Sequence, residues 1–103
     1  MSKKNSIKKK KIRKDCWNLD VSFIYWLKER LPVFLREASS IVDLNYHKFI
    51  YKDKEYTQEE IIKRMIELIN LMGDDYVDYV FSDPAYIDEL LDLWKLVFPR
   101  MWW

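Results

Sequence analysis

The sequence predicts a mainly helical fold: a compact bundle of three or four helices, one small β-hairpin at about 48–56, and an extended basic N-terminal arm. Three observations carry that expectation. Apolar residues recur at spacings of three and four over several long stretches, as on one face of a helix. One Gly and three Pro in 103 residues leave too few tight reversals for a β sandwich or barrel. The 50% hydrophobic and 17% aromatic content is enough to offset the entropy of ordering a core, which excludes general disorder.

Residues 1–14 form the arm. Lys3, Lys4, Lys8, Lys9, Lys10, Lys11, Arg13 and Lys14 give it eight cations and no acid. Like charges repel, and only Ile7 and Ile12 could anchor it, so an extended or flexible segment is expected. Residues 15–103 form a single helical domain. Eighteen basic residues less the arm's eight leave ten against 17 acids, so this body carries a net −7 although the whole chain is +1. From Met65 onward, eight acids face only Lys95 and Arg100. Such asymmetry bears on partners rather than on fold.

Asp20 is read as the N-cap of a first long helix, Val21 to about Ala38, with Leu19, Phe23, Leu27, Leu31, Phe34, Leu35 and Ala38 along its apolar stripe. Trp26 and Val33 lie off that stripe. Pro32 is expected to kink or split the helix, and Ser39-Ser40 to end it. Lys48–Tyr51 and Glu55-Tyr56, joined through Lys52-Asp53-Lys54, read as a hairpin that lacks the Asn-Gly or Asp-Gly turn. Thr57-Gln58-Glu59-Glu60 is a capping box. The helix it opens runs to Met72, with Ile61, Met65, Leu68, Ile69 and Met72 inward and Gly73 as its stop. Asp74 is read as the cap of a short helix through Phe81. Asp83-Pro84 starts the last helix, which carries Ile87, Leu90, Leu91, Trp94 and Val97 inward and stops before Pro99.

The residues argue against an enzyme and call for no cofactor. His47 is the only histidine and Cys16 the only cysteine, so nucleophile–base pairs and zinc sites lack their ligands. A lone cysteine also excludes a disulfide scaffold. One glycine cannot build a phosphate-cradling loop. Asp74, Asp75 and Asp78 fall within about one helical turn, but acids there are favoured by the helix dipole alone. No metal site is expected. No stretch is apolar enough to span a membrane, which points to a cytoplasmic protein.

Binding is the better reading. The arm's cations suit phosphates, each contact releasing condensed counterions without reading sequence. Trp17, just past them, is placed to stack on a base. Expected nucleic-acid contacts are therefore the eight arm cations and Trp17, on RNA or DNA. The Thr57–Met72 helix, with Lys63 and Arg64 against Glu59, Glu60 and Glu67, is not basic enough to read a major groove. Trp102 and Trp103 at the end either fold back to close the core or stand out as anchors for a partner. Tyr76 and Tyr79, interleaved with Asp75 and Asp78, mark the other candidate protein-docking surface.

Trp17-Asn18-Leu19-Asp20, continuing as FIYWLKERLPVFL from Phe23 to Leu35, resembles a pattern of small, uncharacterised bacteriophage-encoded helical proteins. In those, a Leu-Asp pair precedes a helix with Arg-Leu and a following Phe, here Arg30-Leu31 and Phe34. A second helix has an acidic start and Met-Ile, here Glu59-Glu60 and Met65-Ile66. The resemblance covers residues 17–72; Pro32 and the long basic arm depart from it. It implies a phage protein acting in a bacterial host cell. On that footing the expected function is inhibition of a nucleic-acid-handling defence system, such as a CRISPR nuclease, the arm on nucleic acid and the body on protein. The alternative is a minor virion or assembly protein that meets packaged genome.

Overall fold

The structure, a computed structural model, describes residues 3–103, with the side chains of 3–6, 76 and 77 outside the description. Its elements in chain order are α1 (Lys3–Trp17), α2 (Leu19–Ser39), β1 (Lys48–Tyr51), β2 (Lys54–Thr57), α3 (Gln58–Leu71), α4 (Tyr76–Val80), α5 (Pro84–Val97) and a 3-10 turn, Phe98–Arg100. The fold is mainly helical with one two-stranded antiparallel sheet. Five α-helices among the described residues replace the three or four expected.

α3 follows from the strongest local signals. Thr57 Oγ1 accepts from the Glu60 amide at 3.2 Å, and Glu60 Oε1 accepts from the Thr57 amide at 2.9 Å, completing the capping box. Met72 closes the helix and Gly73 leaves it at φ 99°, a left-handed value. A Cβ at Gly73 would also collide with the Asp78 side chain. The expected inward residues Ile61, Met65, Leu68, Ile69 and Met72 are all buried, and Ile62 joins them.

α2 and α5 cover α3 from two sides. α2 contributes Ile24, Leu27, Leu31 and Ala38 to the core; α5 contributes Leu90, Leu93 and Val97. Two faces were misread. Leu91 is exposed and Leu93 takes its place, so the buried line of α5 is 90–93–97. In α2, Leu19 is exposed, while Val21 and Ile24 are buried. There the helix begins at Leu19, with Asn18 rather than Asp20 at the N-cap and no side-chain cap bond. That two-residue earlier start puts Leu19 on the outer side of the first turn, whose inner side is covered at Val21. α2 also runs unbroken through Pro32, which lies on its exposed side, where water can take the carbonyl left without a donor.

Asp83 caps α5, accepting from the Ala85 amide at 2.9 Å, with Pro84 in the first turn. For α4 the cap is Asp75, not Asp74: Asp75 Oδ1 accepts from the Asp78 amide at 2.9 Å. Asp74 is drawn instead to Lys28 on α2, at 2.6 Å.

The extended arm is corrected to a helix. Lys3 to Trp17 contains no Gly or Pro, and Lys and Arg, unbranched at Cβ, lose little rotamer freedom in a helix. Its last turn is tied to α2, since Ser22 Oγ donates to the Asp15 carbonyl at 2.9 Å. Among its described residues α1 gives nothing to the core. The radius of gyration, 15.9 Å, accordingly exceeds the value of about 13 Å for a compact chain of this length.

The hairpin pairs Lys48 with Thr57 through Tyr51 with Lys54, and Lys52 and Asp53 turn it at φ 50° and 66°. Both values are those of a type I′ turn, which favours Asn-Gly because other side chains are strained there. Replacing Lys52-Asp53 by Asn-Gly should therefore stabilise the domain by about 1 kcal/mol, read as a thermal midpoint higher by about 4–8 °C.

Candidate nucleic-acid interface

α1 carries the basic residues on a rod whose described side chains are exposed and whose end lies against α2. Every described side chain from Ile7 to Trp17 is exposed, Ile7 at 67% and Ile12 at 53%. The amphipathic pattern that docks a surface helix on a core is thus missing, and charge dominates the whole circumference. Lys8, Lys9, Lys10, Lys11, Arg13 and Lys14 all stand in solvent. The side chains of Lys3 and Lys4 lie outside the described ones. Trp17 ends the helix at 85% exposure, one of the most exposed aromatics of the described chain.

Beside the junction of α1 and α2 is an open depression lined by Lys11, Asp15, Ser22, Trp26, Glu29 and Arg30. The Arg30 guanidinium sits 4.7 Å from the centroid of the Trp26 ring, a cation–π pair one turn apart on the outer face of α2. Trp26 was legible only as an apolar residue off the buried stripe. Its pairing with Arg30, at i and i+4, was available from the spacing and was missed.

The expected docking residues divide. Trp103 packs on Phe34 of α2, ring centroids 5.5 Å apart, yet stays 53% exposed; Trp102 is 60% exposed. What holds this end is Gln58, the buried polar residue at the start of α3, whose Nε2 donates to the Arg100 carbonyl at 2.8 Å. Tyr79 is half-buried against the core, and burial, with Asp20 beside it, pushes its hydroxyl pKa up. It belongs as much to packing as to a docking surface. The side chain of Tyr76 lies outside the described ones.

Carboxylates 74, 75 and 78 serve the turn between α3 and α4. Lys28 holds the Asp74 carboxyl below the usual carboxylate range, Asp75 caps α4, and Asp78 Oδ2 accepts from the Asp74 amide at 3.2 Å. Among the described residues no group of three or more His, Cys, Asp or Glu side chains is placed to hold a metal ion. His47 is half-buried and meets the Tyr46 ring edge-on at 5.1 Å. Cys16 is exposed and unpaired. No described helix is long and apolar enough to cross a membrane.

A second cleft, unforeseen from the sequence, lies between the hairpin, α3 and α5, with a volume of about 520 Å³, and is lined by Tyr51, Lys52, Tyr56, Arg64 and Glu89 among others. Arg64 donates to both Glu89 oxygens, at 2.6 and 3.0 Å, and also to Glu67. The cation is therefore already engaged by carboxylates, and its pKa is raised, chiefly by the bond to Glu89. No protein-family model, curated protein or solved structure matches this chain.

The same bond holds Glu89 below the usual carboxylate range. A carboxyl lowered in the folded state stabilises fully above its unfolded pKa, about 4.3, and that stabilisation is lost as pH falls through the folded value. Glu89→Gln should then cost about 1 kcal/mol at neutral pH. The difference between wild type and variant in urea unfolding should close on the acid side of about pH 4.

Proposed function

We propose that this chain is a non-enzymatic binding protein that holds nucleic acid through α1, without reading its sequence, and docks a protein through its helical body. One observation carries the reading: a fifteen-residue basic helix whose described side chains are all exposed and which gives nothing to the core. Like charges at i and i+4, as in Lys9 with Arg13 and Lys10 with Lys14, weaken such a helix in isolation. Phosphates would relieve that repulsion and release condensed counterions. The body, at −7, repels phosphate and so leaves the contact to α1 and Trp17.

Trp102 and Trp103 supply the protein-docking element, because large half-exposed aromatics that are already partly ordered lose little freedom on binding. With the phage-like pattern of residues 17–72, this two-ended charge favours an inhibitor of a host nuclease that works on nucleic acid, such as a CRISPR nuclease. The body would meet the enzyme and α1 its guide or target strand.

Fluorescence anisotropy with labelled nucleic acid across a salt series tests the reading. With all eight cations on a duplex, the slope of log affinity against log salt should approach about −7; replacing Lys8, Lys10, Lys11 and Lys14 by Gln should bring it to about −3.5. Absence of binding, or binding indifferent to salt, would refute it.

A further inference from the structure

An extended arm treats every phosphate backbone alike, whereas a helix has a fixed width and a fixed disposition of charge. At about 100° per residue, Lys10 and Lys14 share one side of α1. Lys8 and Lys11 lie about a third of a turn away, and Lys9 and Arg13 about a third further on. The cations thus ring the helix rather than line one face of it. Laid on a single strand or a flat surface, such a helix would leave most of its charge facing away from phosphate. Between two phosphate rails both flanks of the helix meet phosphate, so more of the ring is used than on one strand.

The dimensions fit one kind of groove. An α-helix with its side chains is about 10–12 Å across, and the B-form major groove is about 12 Å wide and 8.5 Å deep. The major groove of an A-form RNA duplex is too narrow for side chains to read. Fifteen residues make a rod of about 22 Å, the length of about six base pairs. Ile7 and Ile12, both exposed, add small apolar patches between the cations of the rod. Towards its end the rod runs beside α2, Lys11 and Asp15 sharing a depression with Ser22, Trp26, Glu29 and Arg30.

Resting on the reading that α1 binds nucleic acid, we propose that its target is B-form duplex DNA, with α1 lying in the major groove and its cations on the phosphates of both strands. The test is competition binding of the full chain to a DNA duplex, an RNA duplex and a single DNA strand of equal length. Ile12→Pro is measured alongside. It keeps all eight cations but breaks the helix, and Ile12 lies outside the core, so the body stays folded.

Wild type should prefer the DNA duplex by at least about tenfold over RNA duplex and single strand, and Ile12→Pro should reduce that preference to about twofold or less. Circular dichroism should show less helix in Ile12→Pro than in wild type, which verifies that the variant breaks the rod. Equal affinity for all three ligands would overturn the groove proposal and leave nucleic-acid binding standing. So would a DNA preference that survives Ile12→Pro. No binding to any of the three would end both.

Discussion

Burial of α3 is the constraint on which the rest of the fold depends. Ile61 and Ile62 are adjacent and both lie under 2% exposed, so the covered arc of this helix is wider than a single stripe. One neighbour cannot cover such an arc. α2 and α5 are needed together, and Leu44 closes the gap left where the chain crosses between α2 and the hairpin. Each buried Leu, Ile or Met side chain is worth about 1.5–3 kcal/mol. Five of them lie on α3 and Met72 sits at its C-cap, so gross burial along this one helix is of the same order as the ~5–15 kcal/mol net stability of a typical domain, before entropy is set against it.

The smaller elements make sense as attachments to that helix. The hairpin leads straight into the capping box, so the last residue of β2 is also the N-cap of α3. Across the cleft, Arg64 of α3 and Glu89 of α5 bind at the rim of the core, and Tyr51 of β1 donates to Asp92 of α5 at 3.2 Å. Gln58 reaches the Arg100 carbonyl and brings the end of the chain back to the start of α3. Trp102 and Trp103 follow this anchored stretch, and Trp103 packs on Phe34.

How much of this was legible in the sequence depended on whether the signal was local. Thr57 with Glu60, Asp83 with Pro84 and the stop at Gly73 act within four residues, and each was readable. The hairpin was readable from its two short segments about Lys52-Asp53-Lys54, but Lys54 belongs to β2, and Lys52 and Asp53 hold left-handed values that their side chains do not favour. Choices settled across the fold were not readable. Leu91 and Leu93 are equally apolar, and only the placement of α5 against α3 selects Leu93. Asp74 and Asp75 are equally good caps in isolation, and Lys28, 46 residues away, takes Asp74. The Arg64–Glu89 pair that lines the cleft beside the hairpin depends on two separate helices in the same way. For α1, charge repulsion argued for extension, and unbranched side chains without a Gly or Pro prevailed. The basic residues and Trp17 were found, but the rod that arranges them was not.

That rod changes how the division of charge is understood. The acids of the second half have local tasks: Asp75 and Asp83 cap helices, Asp74 pairs with Lys28, and Glu89 pairs with Arg64. None of these tasks requires the arm. Capping leaves a carboxylate charged, so the body keeps its negative field while its acids do structural work. A flexible basic arm beside such a field would tend to fold back on it. A helix of fifteen residues, leading into α2 through one non-helical residue and tied by Ser22 to Asp15, is held away from that collapse. Its cations then remain presented to solvent, and the acidic body limits which side of a polyanion can approach. On this account the acids help to set the proposed contact without touching it: the net negative body makes α1 the surface most attractive to phosphate.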